Sequence, residues 1–98
     1  MFKKLNPLLH NELRLSVMSY LVTKKQASFS ELKAVTQATA GNLSVQIKKL
    51  EAADYFTVEK SFKNNYPNTQ LTITAVGEDA FKAYLKALKS YFWLTFIL

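Results

Sequence analysis

Residues 39–50, TAGNLSVQIKKL, carry the side chains best suited to chemistry in this chain. At helical spacing Leu43, Ile47 and Leu50 share one face, while Gly41, Asn42, Ser44, Val45, Lys48 and Lys49 share the opposite one. Those polar types suit a nucleic-acid duplex. The Asn42 amide can pair with adenine or bond a phosphate, and Ser44 is short and close enough to the helix start to favour a phosphate. Val45 is an apolar residue on an exposed face, which suits a thymine methyl better than water. Gln46 lies toward the flank, where it either reads a base edge or packs within the motif; Lys48 and Lys49 suit phosphates. The plain alternative is a solvated helix face.

A second group follows directly. From Tyr55 the apolar period changes to two: Phe56, Val58 and Phe62 fall on one side of a strand, and Leu71 and Ile73 do the same on a returning strand. The expected hairpin spans residues 55–74, with a polar loop at 63–68. Lys60, Lys63, Asn64 and Asn65 are its candidate contacts to a minor groove or flanking backbone. The hairpin carries no arginine, so phosphate contact is expected to outweigh narrow-groove reading. An ordinary hydrophilic hairpin is the alternative. Arg14, on the first helix, has two readings: a phosphate contact or an intramolecular ion pair.

Flanking elements must hold these groups. Asn6-Pro7 suits a helix start, and Leu9, Leu13, Val17 and Leu21 sustain an apolar stripe over residues 7–24. Ser28-x-x-Glu31 is a capping box opening a second helix, with Phe29, Leu32 and Val35 facing inward. Residues 37–40 make the turn, and Thr39 caps the third helix, expected over about 40–53. Thr74 caps a long last helix over about 75–96, whose stripe runs through Val76, Phe81, Tyr84, Leu85, Leu88, Tyr91, Phe92 and Phe96. The fold class expected is α+β and mostly helical, one domain over residues 1–98: a three-helix core, a two-stranded hairpin and a long C-terminal helix.

Composition narrows the partners. With 98 residues, a net charge of +6 and a pI near 9.6, an anionic partner is favoured, nucleic acid ahead of an acidic protein or membrane surface. The absence of cysteine removes thiol chemistry, disulfides and cysteine-based metal sites, and His10 is the sole histidine, so a histidine cluster for a metal is excluded. The sequence holds no P-loop, dinucleotide fingerprint or credible catalytic triad, so neither an enzyme nor a cofactor is expected. Neither a secretory leader nor a run of about 20 apolar residues is legible, and a cytoplasmic protein without membrane attachment is expected.

In order along the chain, Leu13-Arg14-Leu15, the 29–32 segment FSEL, GNLSVQIKKLE at 41–51, the 55–62 strand with Pro67-x-Thr69, LTIT at 71–74, and then Gly77, Ala80-Phe81 and Tyr84-Leu85 form a set. Taken together, over about residues 5–92, this set resembles the short winged-helix regulators of the MarR/ArsR superfamily. Two features depart from the family pattern. Ala40 stands where an acidic or polar residue often precedes the Gly-Asn pair, and the C-terminal FWLTFIL is unusually apolar. The metal sites of the ArsR-type relatives find no ligands here.

The resemblance implies a homodimeric transcriptional regulator of double-stranded DNA, a repressor on a palindromic site, with helix three in the major groove. Tyr84, Leu88, Tyr91, Phe92 and Phe96 exceed what a three-helix core and a hairpin can bury, and are the expected dimer interface, with the Met1-Phe2 arm contributing. A small-molecule effector of unspecified class is the open partner; Tyr20, Tyr84, Tyr91 and Trp93 are candidate pocket residues, with core or dimer packing the simpler account. The rival function is a winged-helix protein-interaction module whose basic face is incidental.

Overall fold

The computed structural model describes residues 1–93 and 95. Its elements, in order, are α1 (Glu12–Lys24), β1 (Gln26–Ser28), α2 (Phe29–Thr36), α3 (Ala40–Ala52), β2 (Phe56–Lys63), β3 (Tyr66–Ile73) and α4 (Ala75–Lys89). The fold is α+β and mostly helical, with a three-stranded antiparallel sheet in the order β1-β3-β2.

The first helix starts later than its apolar stripe suggests. Asn6 does not cap it: its side-chain oxygen accepts from the Leu8 amide, 2.9 Å, closing a turn, and its Nδ2 donates to the Tyr55 hydroxyl, 2.8 Å. Asn11 is the cap, accepting from the Arg14 amide. Leu9 still enters the core, which is why its spacing reads as part of the helix. Lys25 ends α1 with φ 74°, a left-handed turn that sends the chain into β1.

β1 is the element the sequence pattern hides. Three residues are too few to show alternation, and Ser28 is also the cap of α2. Ala27 pairs with Leu71 and is buried. The expected capping box is formed: Ser28 accepts from the Glu31 amide at 3.0 Å, and Glu31 accepts back from the Ser28 amide. The other Glu31 oxygen accepts from the Tyr20 hydroxyl, tying α1 to α2; that bond holds the phenol above its ordinary pKa. Replacing Glu31 by alanine therefore removes the reciprocal half of the capping box and an interhelical hydrogen bond together. The expected loss is about 1–2 kcal/mol, read as a lower urea midpoint with unchanged m; no shift would mean neither bond stabilises the fold.

Leu9, Val17, Met18, Leu21, Leu32, Leu43, Leu50, Phe56 and Leu71 are essentially without solvent contact and join α1, α2 and α3 to the sheet. Each such side chain contributes about 2 kcal/mol relative to exposure. Val35 does not enter the core as its spacing suggests; it is exposed, lining a groove between α1 and α2. Phe81 and Tyr84 bring α4 onto this core. At the α4 start, Thr74 accepts from the Gly77 amide and donates to the Asp54 carbonyl, and Gly77 lies against the Tyr55 backbone.

Lys25 and Glu78 form an exposed ion pair at 2.8 Å between the end of α1 and the first turn of α4. The hydrogen bond from Lys25, then its charge, hold the Glu78 carboxyl below the usual carboxylate range. A depressed pKa means this small contribution is present above that usual range and disappears as pH falls through the lowered value.

Candidate nucleic-acid interface

Helix α3 is built to present one face. Thr39 accepts from the Asn42 amide at 3.2 Å, and Gln37, with φ 57°, makes the sharp turn from α2. Leu43, Ile47 and Leu50 are buried beneath it, as their spacing requires. The first turn of α3 holds no acidic side chain, so the positive end of its dipole is left for an external anion.

The outward surface of α3 divides into three rows. Val45 and Lys49 run along the middle, with Val45 51% exposed. Asn42 and Gln46 lie on the α1 side, lining a groove with Asn11, Ser16 and Ala38. Ser44 and Lys48 lie on the wing side, in a crevice of about 260 Å³ whose other walls are Phe29, Ile47, Glu51, Val58, Lys60 and Thr69. Asn42, Val45, Lys48 and Lys49 are exposed, while Ser44 and Gln46 are half-buried. Among the described residues none of Lys48, Lys49, Lys60 and Lys63 is in an ion pair.

The wing is a tighter ribbon than the polar loop at 63–68 suggests. Lys63 pairs with Tyr66, leaving a two-residue turn in which Asn64 (φ 53°) and Asn65 (φ 66°) are both left-handed. That is the turn whose twist matches a hairpin, and asparagine tolerates it. Pro67 therefore sits within β3, opposite Phe62 and beyond the reach of β1, where its missing N–H breaks no ladder.

Two consequences bear on the wing contacts. Lys60 and Lys63 are an odd number of residues apart, so they lie on opposite faces of the ribbon. Lys60 belongs to the α3 side, beside Lys48; Lys63 shares the other face with Tyr66. Phe62 does not join the core with Phe56 and Val58, because the ribbon outruns the helices: it is 78% exposed, and Tyr66 is 74% exposed. Residue type alone does not mark Tyr66 as an exposed side chain of the tip. The signal was present in the eight-residue length of each strand, which carries the tip well past anything able to cover it.

Among the described residues Arg14 forms no intramolecular ion pair. Its Nε donates to the Leu8 carbonyl at 2.6 Å, and its guanidinium donates to Gln46 Oε1 on α3. Gln46 thus packs within the motif and continues to Asn42, its Nε2 donating to Asn42 Oδ1 at 3.1 Å.

The tyrosines proposed for one effector pocket are spread over the molecule. Tyr20 borders a groove of about 490 Å³ between α1 and α2. Tyr84 is core, 3% exposed, with its hydroxyl 2.9 Å from His10 Nδ1. Tyr91 donates to the Lys3 carbonyl and stacks on Phe2, ring centroids 5.2 Å apart. Tyr84 is therefore consumed within its own chain, and Leu88 is half-buried against the same core. Tyr91, Phe92 and Trp93 are exposed, joined by Leu85 and the Met1-Phe2 arm. Helix α4 closes at Lys89, short of the expected 96, with Ser90 as its cap; Phe96 lies outside the described residues.

Three helices with a capped second and third element, followed by a two-stranded ribbon beside the third, define a winged helix-turn-helix. The chain belongs to the winged helix DNA-binding domain family, whose model matches residues 13–92. A transcriptional regulator homologue from Pyrococcus horikoshii OT3, of known structure, is 32% identical with a TM-score of 0.79, covering 86% of this chain and 83% of its own. The crystal structure of MarR superposes with a TM-score of 0.75 at 18% identity, over 91% of this chain and 64% of that one. An uncharacterised protein of Methanocaldococcus jannaschii is 32% identical over 72 residues, 74% of this chain and 78% of that protein. No helix among the described residues is long and apolar enough to cross a membrane.

Proposed function

We propose that this protein is a sequence-specific DNA-binding transcriptional regulator that acts as a homodimer, a repressor that occludes a palindromic promoter site. The observation that carries the reading is Val45, an exposed apolar side chain in the middle of a helix face flanked by the ammonium groups of Lys48 and Lys49. Water is a poor environment for such a group, whereas a major groove offers it a thymine methyl while the lysines meet phosphates. Lys60, beside Lys48, extends the basic track onto the wing, and Lys63, Asn64 and Asn65 reach the backbone from the ribbon tip. The similarity to a transcriptional regulator homologue at 32% identity supports the same role.

The homodimer rests on the exposed apolar end of the molecule. Phe2, Leu85, Tyr91, Phe92 and Trp93 lie on one terminus-bearing end, with Phe2 already stacked on Tyr91. A surface of this kind, on a chain with a net charge of +6, is suited to burial against its own copy. Leu88 supports it from beneath. A two-fold pair would set recognition helices about 34 Å apart, one turn of duplex.

Selection from a random duplex library tests both parts. The expected result is an enriched inverted repeat with half-site centres about one turn apart. Enrichment of a single half-site would retain DNA reading and remove the dimer. Salt-sensitive binding with no enriched sequence would remove specific regulation and favour a protein partner for the basic face.

A further inference from the structure

Arg14 is only half-exposed, lies on α1 rather than on the recognition helix, and is held at both ends of its guanidinium: Nε on the Leu8 carbonyl at 2.6 Å and a terminal nitrogen on Gln46 Oε1 at 2.5 Å. A guanidinium only donates, so Gln46 must turn its oxygen toward Arg14. Its amide nitrogen then faces the other way, one helical turn back, and donates to Asn42 Oδ1 at 3.1 Å. Asn42 must in turn point its oxygen along the helix toward Gln46. Because the amide is planar, its Nδ2 is left on the opposite side, at the exposed first turn of α3.

We infer that Arg14 is a positioning residue that sets the hydrogen-bonding polarity of the recognition helix, so that Asn42 offers a donor to the major groove. An isolated asparagine swaps donor and acceptor by a half-turn of its amide and is indifferent to which it presents. Here a swap of Asn42 would put two N–H groups face to face at Gln46, and a compensating swap of Gln46 would put two N–H groups face to face at Arg14. The chain Arg14, Gln46, Asn42 therefore has one direction. A donor at this place selects a base edge that accepts, guanine O6/N7, adenine N7 or thymine O4, and rejects the N4 amino group of cytosine. This narrows the Asn42–adenine pairing that residue type alone suggests, since that pairing also uses the oxygen now turned toward Gln46.

The inference rests on α3 reading bases, and its test separates the two ideas. Library selection with the natural protein and with Asn42→Ala locates the base position that Asn42 faces. Gln46→Glu then reverses the last link: the carboxylate keeps the Arg14 contact as an ion pair but offers only oxygen to Asn42, whose amide must turn around and expose Oδ1. The expected result is a guanine-over-cytosine preference of about 10-fold at that one position in the natural protein, reversed toward cytosine or adenine in Gln46→Glu. The added negative charge lowers affinity for all sequences alike and does not alter the ratio at one position. A motif that selection finds but Gln46→Glu leaves unchanged would overturn the polarity relay while leaving DNA reading intact; no motif in any variant would overturn the DNA reading itself. Proton NMR of the unliganded natural protein tests the relay without DNA or substitution. The Gln46 side-chain amide protons are expected to show contacts to Asn42, and contacts to the Arg14 guanidinium in their place would overturn it.

Discussion

Replacing Gly77 by alanine is expected to destabilise the protein by about 3 kcal/mol. An added Cβ would stand 2.0 Å from the Tyr55 carbonyl oxygen and 2.8 Å from its carbon. These are backbone atoms, with no flexible side chain to yield. The same carbonyl accepts from the Thr74 amide at 3.2 Å, and the Thr74 hydroxyl donates to the Asp54 carbonyl at 2.6 Å. Moving α4 outward would therefore break the cap of that helix and loosen Phe81 and Tyr84 from the core. Against a usual total of about 5–15 kcal/mol for a domain, this is a large share. Gly41→Ala is the internal control: its added Cβ meets nothing within 4 Å, so the same substitution in the first turn of α3 is expected to stabilise by about 0.5 kcal/mol. Urea unfolding of the two variants checks the contrast. Midpoints that shift in the same direction would show that helix propensity, rather than the close approach at Tyr55, governs Gly77.

Removing both Lys48 and Lys49 is expected to weaken binding to every duplex by about 30-fold near physiological salt and to flatten the log–log salt slope by about 1.8. The arithmetic is that of counterion release: each phosphate contact contributes about 0.9 to the slope, hence about 5-fold at 0.15 M salt. Both ammonium groups are exposed and, among the described residues, outside any ion pair, so neither is neutralised within the protein before DNA arrives. They leave the helix on different rows, Lys48 toward the wing crevice beside Lys60 and Lys49 along the middle with Val45. Charges on separate rows are expected to meet separate phosphates. The loss should be uniform across sequences, because phosphates carry no base identity. Affinities of the double variant measured on matched and scrambled duplexes over a salt series decide the matter. A slope change near 0.9 would place only one of the lysines on the backbone, and an unchanged slope would remove both.

Much of the architecture was already written in residue order. Ser28 with Glu31, and Thr39 before an apolar 3–4 spacing, encode helix starts locally, because a cap bonds an amide only three residues away. The buried face of α3 followed from Leu43, Ile47 and Leu50 for the same reason: helical geometry relates near neighbours and needs no knowledge of the rest of the chain. Exposure of Val45 and the lysines is the complement of that face.

What escaped was set by distant partners. Three residues at β1 show no period, and they are a strand only because β3, more than forty positions later, supplies their hydrogen bonds. Asn6 is a good cap by type, yet the Tyr55 hydroxyl holds its amide and Asn11 takes the role. Tyr84 is indistinguishable in sequence from the exposed aromatics around it until α4 docks and His10 meets its hydroxyl. Phe62 has the alternation of a core residue, but alternation assigns a side of the sheet and not whether anything lies on that side.

The candidate site divides along the same line. Its residue types, and their place on one helix face, are properties of the sequence by itself, since they rest on local periodicity and side-chain chemistry. Which of them act together belongs to the tertiary structure: Lys60 joins Lys48 across a crevice while Lys63 turns away, and Arg14, 32 residues from Gln46, gives the amides of α3 their direction. Hydrogen-bond polarity and ribbon facing depend on the orientation of groups brought together across the fold, and no spacing along the chain encodes that.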